Sequence, residues 1–146
     1  MFAVHLEYPT TADEIQVVKQ TTTETQPKPN VVFDSTSVLA FQHLIRKIPV
    51  ADNVIEYAVN IISKSRPNTP SASTLVKNYV AWGAGPRASQ NLILAAKTNA
   101  VLNRKFTPDS EDVQAVAKSV LRHRIIKNYK ADAEGISIDS IIDNLL

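Results

Sequence analysis

The stretch VIEYAVNII, residues 54–62, constrains the fold more than any other part of the chain. Val54, Ile55, Ala58, Val59, Ile61 and Ile62 recur at helical spacing and cover far more than a narrow stripe. A helix this apolar must be covered on several sides, so it predicts a bundle with this helix, starting near Asp52 or Asn53, at its centre. Other segments supply the cover. Val38, Phe41, Leu44, Ile45 and Ile48 form a helical stripe that Pro49 ends. Pro86 to about Asn103 reads as a helix in which Ala88, Ala95, Ala96 and Ala100 let a neighbour approach closely. Val113, Val116, Ala117, Val120 and Leu121 form another stripe. Ile138, Ile141, Ile142 and Leu145 follow Ser137 on a last short helix. The expected fold is mainly α, a helical bundle with one or two short extended segments.

The extended segments lie at the start and in the middle. Phe2, Val4, Leu6 and Tyr8 alternate with Ala3, His5 and Glu7 as a strand does, yet no nearby sequence offers an antiparallel partner. Val76, Val80 and Trp82 alternate more briefly. Between them, Thr11 and Glu14 fit a capping box, opening a helix to about Thr23 with Ile15 and Val18 on its buried side. A loop through Pro27 and Pro29 follows. Thr107 fits an N-cap, with Pro108 at the first helical position and Asp109, Glu111 and Asp112 at the positive helix end.

Several function classes are excluded or disfavoured. The chain has no cysteine, so it has no disulfide, thiolate metal site or cysteine nucleophile, and this favours the cytoplasm. His5, His43 and His123 stand in no metal-binding spacing, so no metal site is expected. No serine sits in a GxSxG setting. The three glycines, Gly83, Gly85 and Gly135, can form neither GxxxxGK[ST] nor GxGxxG. A phosphate would therefore meet side chains and helix ends rather than a backbone cradle. The formal net charge is +2, from 16 basic and 14 acidic residues, so the chain as a whole is not strongly drawn to nucleic acid or anionic lipid. No apolar run approaches the ~20 residues of a membrane span, and the start lacks the basic and apolar regions of a signal peptide.

Two stretches carry candidate chemistry. In GAGPRAS, residues 83–89, Pro86 suits the first position of a helix and Arg87 then falls in its first turn, where partial positive charge disfavours a cation. One reading is an anion-facing arginine, in which the guanidinium and free backbone N–H groups together suit a phosphate. The other is an exposed arginine that tolerates its position at a cost of only ~0.3–1 kcal/mol. In LRHRIIKNYK, residues 121–130, Arg122, His123, Arg124, Lys127 and Lys130 form a candidate nucleic-acid or partner surface. The alternative is a helix C-terminus decorated with cations, as the macrodipole favours.

Taken together, four stretches resemble the C-terminal portion of MoxR-type AAA+ ATPases. LEYPTTADE looks like that family's strand-to-helix passage, and GAGPRA looks like its GASPRA. AVLNRKFTPDSEDVQAVAKSVLRHRI is similar to the family's A-x-L-x-GR…P-x-D-V…VLxHRI run, and ISIDSIIDNLL to its closing helix. The order and spacing agree over nearly the whole chain. Two departures are mild. Gly85 stands in place of a serine, and glycine is an acceptable N-cap. Asn103-Arg104 stands in place of Gly-Arg, and asparagine tolerates the left-handed geometry a helix terminator needs.

The resemblance implies an AAA+ lid, with residues 1–9 the remnant strand of an α/β core and 10–146 the helical lid. It implies that Gly85, Pro86 and Arg87 belong to a nucleotide site, with Arg87 as the sensor-2 arginine reading the γ-phosphate. ATP and Mg would be bound with the core that carries the Walker motifs, and the lid by itself would bind ATP weakly or not at all and hydrolyse none. Expected partners are the protein's own N-terminal AAA+ core, a homo-oligomeric ring and von Willebrand A-domain proteins. The expected work is chaperone-like remodelling or maturation of client complexes. Outside the resemblance, the residues alone leave a small basic-patch nucleic-acid-binding or protein-interaction module as the alternative.

Overall fold

The computed structural model describes residues 2–24 and 28–146. Its elements are α1 (Thr11–Thr21), α2 (Ser35–Lys47), α3 (Asp52–Lys64), α4 (Thr74–Tyr79), β1 (Val80–Trp82), α5 (Pro86–Leu102), α6 (Ser110–Leu121), β2 (Ile126–Lys127), α7 (Tyr129–Ala133) and α8 (Ile138–Asp143). Pro27, expected in the loop after α1, lies outside the described residues.

The core forms where the apolar periodicity places it. α3 buries Val54, Ala58, Ile61 and Ile62, whereas Ile55 and Val59, expected to be covered as well, are 37% and 46% exposed because no described element packs fully over that side. α5 buries Ala88, Leu92, Ala95, Ala96 and Ala100, and its small side chains let α6 come close. α6 answers with Val113, Val116, Ala117, Val120 and Leu121, all buried. Ile141, Ile142 and Leu145 close the core from the C-terminal end. Leu92 is fully buried, and truncating such a side chain costs about 2–5 kcal/mol. The two strands pair antiparallel, with Val80 opposite Lys127 and Trp82 opposite Ile126.

Local chemistry moves several expected boundaries. The first cap is Thr10, whose hydroxyl accepts from Asp13 N–H and donates to the Asp13 carboxylate at 2.6 Å, so the helix is capped at Thr10 rather than by a Thr11–Glu14 box. The cap of α6 is Asp109, not Thr107. Asp109 accepts from Asp112 N–H and Asp112 accepts from Asp109 N–H, each at 3.1 Å. That reciprocal pair satisfies two helix-end donors, and Thr107 instead donates to Pro49 O. Val76 is buried in α4, because Ser73 caps a helical turn ahead of β1. The left-handed residue that ends α5 is Arg104, with φ 60, not Asn103. Arg104 N–H bonds Val101 O and Lys105 N–H bonds Ala100 O, the Schellman arrangement with Arg104 at the position glycine usually holds.

The N-terminal quarter differs most from expectation. Residues 2–10 form no strand, since no ladder partner is available; Ala3 N–H bonds Ser119 O instead. Ile15 and Val18 are about half exposed, at 51% and 52%. α2 likewise leaves Leu39, Phe41 and Leu44 exposed. The apolar periodicity of both helices is real, but no described element covers these faces fully.

Candidate functional site

The GAGP turn is held by the end of α3. Ser65 is fully buried. Its hydroxyl donates to Ile62 O at 2.7 Å and accepts from Ala84 N–H at 3.0 Å. Arg66 Nε donates to Ala84 O at 3.0 Å. Ala84 therefore has both of its backbone polar groups engaged by consecutive residues of one helix end. That end is itself fixed, because Thr69 Oγ1 donates to Ser63 O and Arg66 O.

The two glycines of the turn do different things. Neither has positive φ; among the described residues that conformation is taken by Arg104 and Gly135. Gly83 is demanded by proximity. A Cβ there would lie 2.7 Å from Arg66 Cα and closer still to Ser65 O, both backbone atoms that cannot swing aside. Gly85 is open, with nothing within 4 Å of a Cβ. It serves as N-cap in extended geometry, without a side-chain cap. Pro86 then starts the 17-residue α5.

Arg87 stands in the first turn of that helix and is exposed. It takes part in none of the ion pairs among the described residues. A cation there works against the helix dipole unless an anion meets it. Beside the turn lies an open cleft of about 360 Å³, lined by Arg66, Pro67, Thr69, Trp82, Gly85 and Pro86 among others. Trp82 is 71% exposed. These surroundings combine an apolar wall with the Arg66 cation, and Arg87 follows Pro86 on the helix start. They offer no backbone cradle for a phosphate chain.

The basic stretch is largely paired within the fold. Arg122 makes a two-pronged ion pair with Asp139, at 2.7 and 2.6 Å. This pairing holds the Asp139 carboxyl below its ordinary pKa. Lys118 pairs with Asp143, Lys127 with Asp132 and Lys130 with Glu134. Lys130 also lies over the Tyr79 ring. Arg124 Nε donates to Val120 O. His123 is exposed, and its pKa is lowered by partial desolvation and then by the Arg124 charge. Arg122, His123 and Lys127 line one shallow surface pocket, with Arg122 and Lys127 each already paired to an aspartate. Among the described residues no group of His, Asp or Glu could hold a metal ion, and no helix is long and apolar enough to cross a membrane.

Sequence reasoning missed Ser65, Arg66 and Trp82. Ser65 and Arg66 open SRPNTPSAST, which by its two prolines reads as a loop, and nothing local to it signals a contact 18 or 19 residues away.

The chain belongs to the AAA lid domain family, whose model matches residues 72–145. It is thus a lid region of the AAA+ ATPase type. Along its full length it is 28% identical to Chaperone MoxR1 of Mycobacterium tuberculosis, covering 38% of that protein. It is 26% identical to the uncharacterized protein YeaC of Bacillus subtilis, covering all of this chain and 43% of that one. Among solved structures it is similar to a "putative ATPase" from Cytophaga hutchinsonii, with a TM-score of 0.84 and 29% identity over 99% of this chain and 44% of the other. The chain spans about two fifths of the length of the curated relatives it matches.

Proposed function

We propose that this lid contributes Arg87 as the sensor-2 residue of a MoxR-type AAA+ ATPase. The observation that carries this is an exposed arginine, in no ion pair among the described residues, at the start of a long helix whose entry turn is locked in place. Arginine suits the task because its planar fork binds phosphate oxygens in pairs and stays charged at any working pH. Beside a helix N-terminus it meets a phosphate with added favourable dipole.

In this reading Arg87 holds the terminal phosphate of ATP, and Gly85 and Pro86 aim it there. The α/β core supplies the Walker motifs, Mg and the phosphate cradle that this chain's three glycines cannot build. Arg87 steadies charge on the transferred phosphoryl group and lets go once that group has left. The lid angle thereby follows the nucleotide state. The half-exposed apolar faces of α1 and α2 support a further body packed against them, and the greater length of the relatives supports a core that fills that place.

The wider assignment rests on the resemblance to MoxR-type ATPases: a ring-forming, cytoplasmic, chaperone-like ATPase acting on client complexes with von Willebrand A-domain partners. The test is Arg87→Ala in the ATPase containing the core. Turnover should fall at least about tenfold while the lid remains folded, and unchanged turnover would remove Arg87 from the site.

A further inference from the structure

A turn of sequence Gly-Ala-Gly ahead of a long helix would ordinarily be a hinge, because glycine restricts the backbone least. Here the contacts make it the opposite. Ala84, between the two glycines, gives its N–H to Ser65 Oγ and receives Arg66 Nε–H on its carbonyl. Gly83 lies so close to the Ser65–Arg66 backbone that no side chain would fit. Ser65 is further tied to Ile62 O in the last turn of α3. Thr69 ties the same corner from the other side, through Ser63 O and Arg66 O. Two residues of the α3 terminus thus grip the peptide three positions before Arg87.

We infer that Ser65 and Arg66 are positioning residues for Arg87: they fix α5 to α3, so that whatever Arg87 binds moves the central helix of the bundle with it. This rests on the nucleotide role proposed for Arg87 and adds the route by which that contact reaches the core. The route is short and physical. Arg87 stands on the first turn of α5, the Ala84 peptide precedes that turn, and Ser65 and Arg66 join it to α3. Arg66 acts through its Nε–H and through its place in the cleft wall. Ser65 acts through a hydroxyl that both donates and accepts in a fully buried position. Glycine supplies the close approach at position 83, and the flexibility it would bring is removed by the two hydrogen bonds.

The test has two arms. In the chain itself, amide hydrogen exchange at Ala84 is compared for wild type, Ser65→Ala and Arg66→Met. Methionine keeps most of the apolar stem and loses the donor, so it keeps the test alive if the serine variant folds poorly. Loss of one bond should speed Ala84 exchange about fivefold to tenfold, with Ile61 and Ile62 amides in α3 unchanged. Trp82, the single tryptophan, lies two residues away and reports the same loosening through its fluorescence anisotropy. Ala84 exchange equal to wild type in both variants overturns the inference.

In the ATPase containing the core, Arg66→Met should lower kcat about as much as Arg87→Ala. The double variant should be no worse than Arg87→Ala alone, because a residue that acts through another adds nothing once that other is gone. Losses that multiply in the double variant overturn the positioning role. If Arg87→Ala leaves turnover intact, the nucleotide reading fails and the positioning role falls with it. The exchange arm separates that case, since it reads the joint without reference to ATP.

Discussion

Alanine substitutions at the two glycines of one turn should behave in opposite ways. In Gly83→Ala the new methyl meets Arg66 Cα at 2.7 Å and lies closer still to Ser65 O, whereas ordinary van der Waals contact begins near 3.4 Å. Both neighbours are backbone atoms at the end of α3, anchored by Thr69 and by the helix itself. The turn must therefore move, and overpacking of this kind costs about 1–3 kcal/mol. Movement also weakens the two bonds to Ala84, each worth about 1 kcal/mol net. The expected loss is about 2–4 kcal/mol. Each kcal/mol shifts the melting temperature of a chain this size by roughly 2–4 °C.

In Gly85→Ala nothing lies within 4 Å of the methyl, and φ is −92°. Alanine is a poorer N-cap than glycine, at a cost of about 0.5 kcal/mol. It also restricts the unfolded chain, a gain of about 0.4–1 kcal/mol. The two nearly cancel. Urea unfolding followed by far-ultraviolet circular dichroism gives both values, at unchanged slope if both states are otherwise preserved. Equal midpoints for wild type and Gly83→Ala, or a Gly85→Ala variant less stable than Gly83→Ala, would refute the reasoning.

Other consequences are as specific. Arg104 is exposed and left-handed at the end of α5, so Arg104→Gly should raise stability by about 1 kcal/mol, read from the urea midpoint. Asp112 is 2% exposed and accepts from Asn99 Nδ2, Lys105 Nζ and Asp109 N–H. Asp112→Ala should then cost about 3 kcal/mol, through lost bonds and donors left unpaired, and the thermal midpoint will show it. The Asp109 carboxyl is held down to about 2 from 3.8, first by the Lys105 ammonium and then by Asp112 N–H. A folded-state pKa below the unfolded one stabilises above the unfolded value. That stability should be present above about pH 4 and lost as pH falls towards 2, and Lys105→Met should flatten this acid limb in a pH series of urea melts.

What could be read from the sequence follows how local each signal is. The apolar face of α3, the alanines of α5 and the stripe of α6 each report burial and are found in the core, except that Ile55 and Val59 widen the α3 face on its exposed side. The caps of α1 and α6 were displaced by one or two residues, because Thr10 and Asp109 compete with adjacent candidates and only the hydrogen bonds each side chain makes to the helix-end N–H groups decide between them. The stripes of α1 and α2 were legible as apolar but not as exposed, since periodicity states what a face prefers and not what covers it. Arg87 stood out because its charge opposes the helix end. Ser65 and Arg66 did not, because their partner lies across the bundle and no short-range pattern encodes it. The cations of 122–130 were legible, but Asp139 becomes the partner of Arg122 only once α8 packs against α6, whereas Lys130–Glu134 is a local i,i+4 pair.

The central claim is that Arg87 reads a nucleotide phosphate from the lid. Steady-state ATP turnover of Arg87→Ala against wild type, in the ATPase containing the core, tests it most directly. Arg87 is exposed and in none of the ion pairs among the described residues, so the melting temperature of the lid should stay within about 1 °C of wild type, as for most surface substitutions. The account predicts that stability together with a fall in kcat of at least about tenfold. Full turnover by the folded variant would contradict it.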